Sequence, residues 1–268
     1  MLSPMKNFNA LVAIMAKLRD PNKGCPWDIE QNFASIVPHT IEEAYEVADA
    51  VERGDMQSLK EELGDLLLQV IFYSQMANEQ GSFSISDVVE TLNNKLIKRH
   101  PHVFGDVVIN TGKEQEEAWE KQKQEERLTK AQKEGRQPSI LDDVAVTLPA
   151  ITRAVKLQKR AAKVGFNWPD AESIFAKIDE ELAELKDAHK NGTNVAEEIG
   201  DLLFVISNLS IKFNLDPEEC IRATNNKFIS RFNHIEKRLN ELGKAFEESS
   251  LEEMDKFWDE AKKFAKNC

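Results

Sequence analysis

The tightest constraint on what this chain can fold into is that its sequence is written twice. Glu42-Glu43-Ala44-Tyr45-Glu46 and Glu61-Glu62-Leu63-Gly64-Asp65 return as Glu180-Glu181-Leu182-Ala183-Glu184 and Glu197-Glu198-Ile199-Gly200-Asp201. Other landmarks repeat in the same order. Trp27 is matched by Trp168, the apolar run from Leu66 by that from Leu202, and Trp119 by Trp258. Asn93-Asn94-Lys95 with Arg99 is matched by Asn225-Asn226-Lys227 with Arg231, and offsets stay between 132 and 141 residues throughout. Ordered landmarks at nearly one spacing define a tandem repeat, so both copies must adopt one fold.

That fold is expected to be all-α, with each copy a small helical bundle. Gly and Pro are sparse (11 and 9), runs of Ala, Glu, Lys and Leu are long, and no convincing period-2 alternation signals a sheet. Each copy reads as a lead-in helix, two acid-bearing helices and one or two followers. Thr40-x-x-Glu43, Ser58-x-x-Glu61 and Ser250-x-x-Glu253 read as capping boxes at helix starts. Pro217 suits a first turn after Asp216, and Gly54, Gly81 and Gly192 suit helix ends. The expected organisation is a first repeat over 1–112, a charged helical linker over 113–149 and a second repeat over 150–268. Residues 113–136 carry seven basic and seven acidic side chains, the mark of a solvated helix with i,i+4 ion pairs, which Gly135 and Pro138 then break.

Charge and cysteine content remove several function classes. With 35 Lys and Arg against 47 Asp and Glu, the net charge of −12 disfavours a general nucleic-acid-binding surface, which needs a basic stripe. Cys25, Cys220 and Cys268 form no CxxC pair and leave one odd, which suits a reducing, cytoplasmic setting. Leu11 to Ala16 belongs to an amphipathic helix rather than a signal peptide, and no window approaches the roughly 18 apolar residues of a membrane span. Walker, Rossmann and nucleophile-elbow motifs are absent from the sequence, so phosphate chemistry would need metal and water.

The acids supply a place for that metal. Residues three and four apart share a helix face, so Glu43 and Glu46 point one way, as do Glu62 and Asp65. Antiparallel packing of the two helices would gather four carboxylates, and the second copy would do the same with Glu181, Glu184, Glu198 and Asp201. Crowded carboxylates repel one another unless a cation sits among them. Mg²⁺ takes oxygen ligands and keeps room for water and substrate phosphates. A di-iron bundle would need Glu-x-x-His, and none of the five histidines stands three residues after these acids. Gly64 and Gly200, each placed just before the Asp, suggest a close backbone approach beside the site or a helix packing contact. Lys227 with Arg231, and Lys95 with Arg99, share faces at i,i+4 and suit a triphosphate. Asn94 and Asn226 could add hydrogen bonds. Trp119 and Trp258 could stack on a base, although core packing suits tryptophan at least as well.

Together these motifs resemble the MazG family of nucleoside triphosphate pyrophosphohydrolases in its two-repeat form, over nearly the full length. The resemblance is carried by GCPWD at 24–28, EEAYE at 42–46, EELGD at 61–65, KLIKRHPHVF at 95–104, EELAE at 180–184, EEIGD at 197–201, NNKFISR at 225–231 and Trp258. It implies an all-α fold related to dimeric dUTPases, Mg²⁺ dependence and homodimerisation. It also implies hydrolysis of NTPs or dNTPs to monophosphate and pyrophosphate, by water attack at the α-phosphorus. The catalytic role falls to the second copy, with Glu181, Glu184, Glu198 and Asp201 as metal ligands. Lys177, Glu180, Glu197, Lys227, Arg231 and Trp258 become nucleotide contacts, together with Glu181 and Asp201. Asn194 is counted among these nucleotide contacts, although it stands where some members carry a basic residue. Glu43, Glu46, Glu62, Asp65, Lys95, Arg99 and Trp119 form a possible second site, in which His39 replaces Lys177. The competing reading is a non-catalytic regulatory module that binds Mg-nucleotide.

Overall fold

In a computed structural model, residues 7–264 are described; Cys268 lies outside them. Among the described residues the chain forms twelve α-helices, one 3-10 turn and no strand. Compactness divides it into two units between Gln122 and Lys123. The first holds α1 (Phe8–Leu18), α2 (Pro26–Glu30), α3 (Phe33–Arg53), α4 (Met56–Glu79), α5 (Ile85–Arg99) and α6 (Pro101–Phe104). The charged helix α7 (Gly112–Lys133) runs across the division. The second unit holds α8 (Ala150–Ala162), α9 (Ala171–Asn191), α10 (Val195–Lys212), α11 (Pro217–Glu241) and α12 (Leu251–Phe264).

In the first unit α3 and α4 pair as a helical hairpin, with α1 and α5 against α4. In the second, α9 and α10 form the equivalent hairpin, α8 packs on α10, and α11 rests on α12 and α8. Gly54 and Gly192, both at φ +67°, make the two hairpin turns in the left-handed region that glycine enters without steric cost.

Two expected helix starts move. Thr40 lies inside α3, which begins at the Asn32 cap: the Asn32 side chain accepts from the Ala34 and Ser35 amides, while the Ser35 hydroxyl accepts from the Asn32 amide. The helix runs through Pro38, and Thr40 Oγ1 donates to the Ile36 carbonyl at 3.1 Å instead of capping. Ser58 lies one turn into α4, whose cap is Asp55, accepting from the Gln57 and Ser58 amides. Ser250 does cap α12, its hydroxyl accepting from the Glu253 amide, but Glu253 turns away to pair with Lys244.

The first unit's core gathers Met15, Ile36, Ile71, Phe72 and Met76, with Leu11, Leu68, Tyr73 and Ile85 packed on it. Each such side chain contributes roughly 1.5–3 kcal/mol on burial. Phe72 also meets Trp27 edge-on at 6.5 Å, and the Arg19 guanidinium lies 5.3 Å from its ring centroid. In the second unit Ile235, Leu239 and Phe257 join α11 to α12, with Met254 and Trp258 against them. The strap between α7 and α8 is held by ion pairs: Lys130 to Asp143 at 2.7 Å and Arg136 to Asp142 at 2.5 Å. Arg160 of α8 donates to the carbonyls of Ile140 and Asp142.

Candidate metal and nucleotide site

The α9–α10 hairpin brings three of the four expected ligands of the second copy together. One carboxylate oxygen from each of Glu181, Glu198 and Asp201 lies within 4.8 Å of the other two. Glu181 is 5% exposed, an unusual position for a carboxylate. Glu184 is exposed and stands outside this trio, but its charge acts on Glu198. Burial, then the charges of Glu184, Asp201, Glu181 and Glu197, push the Glu198 carboxyl above its ordinary range.

A cation already built into the chain answers part of this charge. Lys177, one turn before Glu181, places Nζ 2.8 Å from Glu180 and 2.9 Å from Glu181. Those two hydrogen bonds raise the ammonium above the usual lysine range. Lys177 and Glu180, both expected to meet nucleotide, therefore pair with each other in the chain. Asn194 sits at φ +53° and starts α10 through its backbone, its carbonyl accepting from the Glu197 and Glu198 amides. Glu197 is exposed.

The basic and aromatic followers form a separate cluster. The Arg231 guanidinium lies 5.2 Å from the Trp258 ring centroid, and Phe228 is 5.3 Å from the same ring. These residues stand on α11 and α12, whose chief packing is on each other and on α8, whereas the acids stand on α9 and α10. Lys227 is exposed.

The first copy repeats the trio with Glu43, Glu62 and Asp65, again within 4.8 Å of one another. Burial first, then Asp65, Glu46 and Glu62, raise Glu43; burial, Glu46 and Asp65 raise Glu62. Glu46 is exposed and stands outside the trio, but its charge acts on Glu43 and Glu62. In place of Lys177 stands His39, 3.8 Å from Glu42 and edge-on to Trp27 at 6.0 Å. Trp119 donates from Nε1 to the Arg99 carbonyl at 2.8 Å and meets His100 edge-on, a packing role. Lys95 is exposed.

Gly64 and Gly200 fit neither expectation. A Cβ built on either meets no described atom within 4 Å outside its own helix, so no close backbone approach or packing contact within the chain requires glycine there.

Crowded, partly buried carboxylates with no soft or nitrogen ligand fit a hard divalent cation such as Mg²⁺. Among the described residues, then, the chain is all-helical, with two matching hairpins that each gather three carboxylates able to hold a cation. Residues 31–104 match the MazG nucleotide pyrophosphohydrolase domain, and residues 150–228 match the phosphoribosyl-ATP pyrophosphohydrolase domain. A nucleoside triphosphate pyrophosphohydrolase/pyrophosphatase MazG of Thermotoga maritima is 44% identical over 95% of both chains. A nucleoside triphosphate pyrophosphohydrolase of Escherichia coli K12 is 43% identical over 97% of this chain and 98% of its own. The uncharacterized protein YabN of Bacillus subtilis is 41% identical over 95% of this chain and 51% of its own. The chain belongs to the MazG family of nucleoside triphosphate pyrophosphohydrolases, in a form with two repeats. It is an enzyme of that family, and the all-α expectation holds.

Proposed function

We propose that the chain hydrolyses nucleoside triphosphates, ribo or deoxyribo, to the monophosphate and pyrophosphate, and that turnover belongs to the second copy. The observation that carries the hydrolytic reading is the convergence of Glu181, Glu198 and Asp201 within 4.8 Å; what favours the second copy is Lys177, paired with Glu180 and Glu181 where the first copy has His39. These three would hold Mg²⁺, with Glu184 close enough in charge to add to the cage. When bound, Mg²⁺ supplies neutralisation of the triphosphate and a water of lowered pKa. Water attack at the α-phosphorus then expels pyrophosphate. The hairpin fixes where the triphosphate lies, and Lys177, by holding Glu180 and Glu181, limits how far the cage can splay. Lys227 and Arg231 offer positive charge for the leaving pyrophosphate, with Trp258 behind Arg231.

The same reading extends to a homodimer working in the cytoplasm. Support comes from the free thiols of Cys25 and Cys220 and from the exposed apolar side chains Ile221, Phe228, Ile229 and Phe232 along α11. No described helix is long and apolar enough to cross a membrane.

The test is pyrophosphate release from a panel of NTPs and dNTPs, with Mg²⁺ and with EDTA, identifying the nucleotide product. Mg²⁺-dependent monophosphate plus pyrophosphate is expected. Diphosphate plus orthophosphate would reject α-phosphorus attack. Binding without turnover would favour the regulatory-module reading.

A further inference from the structure

The helix that carries Lys227 and Arg231 outruns its counterpart. α5 ends at Arg99, the match of Arg231, whereas α11 continues to Glu241. Arg231 and Arg238 stand at i and i+7 on one face of α11, yet they are used differently. Arg238 is occupied within the chain. Its guanidinium lies 2.5 Å from Glu241 and 5.4 Å from the Phe257 ring centroid, and its Nε is 3.3 Å from Glu260. That last contact is too poorly aligned for a hydrogen bond and acts through charge. Arg231 meets the Trp258 ring at 5.2 Å. No carboxylate pairs with it among the described residues, and its Nε is buried without a hydrogen-bond partner. A cation left without an anion in a chain of net charge −12 points to an anionic ligand.

What keeps Trp258 against Arg231 is the seat of α12 on α11. Phe257 is buried against Ile235 and Leu239. Apolar burial of this kind is non-directional, so by itself it leaves the roll and register of α12 loosely set. Glu260 supplies direction. Its Oε2 stands between two side chains of α11, 3.3 Å from Arg238 Nε and 3.5 Å from His234 Nε2. Arg238 is always charged, and His234 adds to the attraction when protonated. Near the start of the same helix Glu253 pairs with Lys244 at 2.8 Å, so α12 is tied at both ends. In the first unit Trp119 is anchored otherwise, by its indole N–H on the Arg99 carbonyl.

We infer that Glu260 and Arg238 are positioning residues for the Arg231 anion contact. They seat α12 so that Trp258 covers one face of the Arg231 guanidinium and leaves its edge to the phosphates. The inference rests on the hydrolase reading above and extends it to two residues that touch no substrate. A guanidinium donates bidentately only when its plane is aligned with the phosphate oxygens, and an aromatic ring against its face sets that plane. Without the seat the charge of Arg231 remains but is no longer aimed. The size of the effect is bounded by exposure: the Glu260 side chain is 42% exposed, so its ion pairs are partly screened.

The experiment uses the full chain in a Glu62→Gln background, which weakens the first cage. Glu260→Gln, Arg238→Gln, Arg238→Lys, Arg231→Gln and the double variant Glu260→Gln/Arg231→Gln are compared. Calorimetry gives the affinity for inorganic tripolyphosphate with Mg²⁺, and pyrophosphate release from ATP gives KM and kcat. Glu260→Gln and Arg238→Gln should each weaken tripolyphosphate binding about three- to fivefold and raise KM as much, with kcat within about twofold. Arg238→Lys, which keeps the charge, should lose less. On top of Arg231→Gln, Glu260→Gln should change neither quantity further. Unchanged affinity and KM with only a lower melting midpoint would mean that the contacts serve the fold alone and would overturn the assignment. So would an undiminished further loss in the double variant. If no triphosphate is hydrolysed, the hydrolase reading falls, but the tripolyphosphate series still decides: a loss that vanishes without Arg231 upholds the positioning role, and no loss rejects it.

Discussion

In the first unit Phe72 lies in the core at 3% exposure, edge-on to Trp27; in the second, Asn208 occupies the same register beside an open cleft. In the first unit His39 stands 3.8 Å from Glu42; in the second, Lys177 holds Glu180 and Glu181 at 2.8 and 2.9 Å. The acid trios themselves are alike, each within 4.8 Å. Duplication has therefore kept the three-carboxylate cluster in both units. What has diverged is the ground beside it, packed for stability in one copy and open in the other.

That contrast can be broken most sharply through activity. Glu198→Gln should reduce pyrophosphate release on the order of a hundredfold or more, while Glu62→Gln leaves most of it, measured at saturating triphosphate and Mg²⁺. Equal losses would mean that both cages turn over. Stability tests the other half of the contrast. Phe72→Ala should cost about 3–5 kcal/mol in denaturant unfolding, the range for emptying a buried aromatic site, whereas Asn208→Ala should cost less than about 1 kcal/mol. Similar costs would mean that the second unit's cleft is packed as tightly as the first unit's core.

A smaller effect should follow from Lys177→Ala. Removing the ammonium leaves the buried Glu181 carboxylate without its partner, so the melting midpoint should fall by several degrees in EDTA and recover on adding Mg²⁺. The corresponding His39→Ala should shift the first unit little.

The effect of pH has a definite sign. Glu198 is raised from 4.5, so the folded chain binds its proton more readily than the unfolded chain. Its contribution to stability is greatest below 4.5 and is lost as pH rises through the raised value. The helix-cap carboxylates Asp55 and Asp170 are lowered from 3.8, mainly by their hydrogen bonds to Ser58 and Ser173. Their stabilisation is present above 3.8 and is lost only as pH falls below it. The two windows do not overlap. Without metal, the melting midpoint of Glu198→Gln should gain on the unmodified chain as pH rises from 4.5 upward, and a constant difference would contradict the crowding. Smallest of all, Asp55→Ala should lower the midpoint by a few degrees through its lost cap, while Asn194→Gly, already at φ +53° with no side-chain cap bond, should not lower it.

Much of this was legible in the sequence because helical spacing fixes which carboxylates share a face. Glu181, Glu198 and Asp201 could be placed together from i,i+3 relations and one short connection. Helix starts were harder. Ser58-x-x-Glu61 has the form of a capping box, but Asp55 lies three residues earlier and a carboxylate there outcompetes the hydroxyl for the free amides. Thr40-x-x-Glu43 has the same form, but α3 is already under way from its Asn32 cap. Gly64 and Gly200 misled differently: an identical glycine in both copies implies a tight contact, and none exists within either unit among the described residues. The cleft gave only a faint signal, a polar Asn208 in register with Phe72 inside otherwise matching apolar runs. Its meaning depends on α8 and the strap, which no local spacing reveals.

The strap has a practical consequence for anyone dividing the protein. Leu141 forms one wall of the cleft, and its loop is fastened on one side by Arg160 from α8 and on the other by Arg136 and by Lys130 from α7. A second repeat cut at the apparent boundary near residue 150 would keep all its acids, yet discard Leu141 and both upstream anchors. Such a fragment should be less stable than one that keeps the strap, so any weakness would be mistaken for a need for the first copy. A cut that keeps the strap's anchors in the second unit has to fall inside the charged helix, before Lys130.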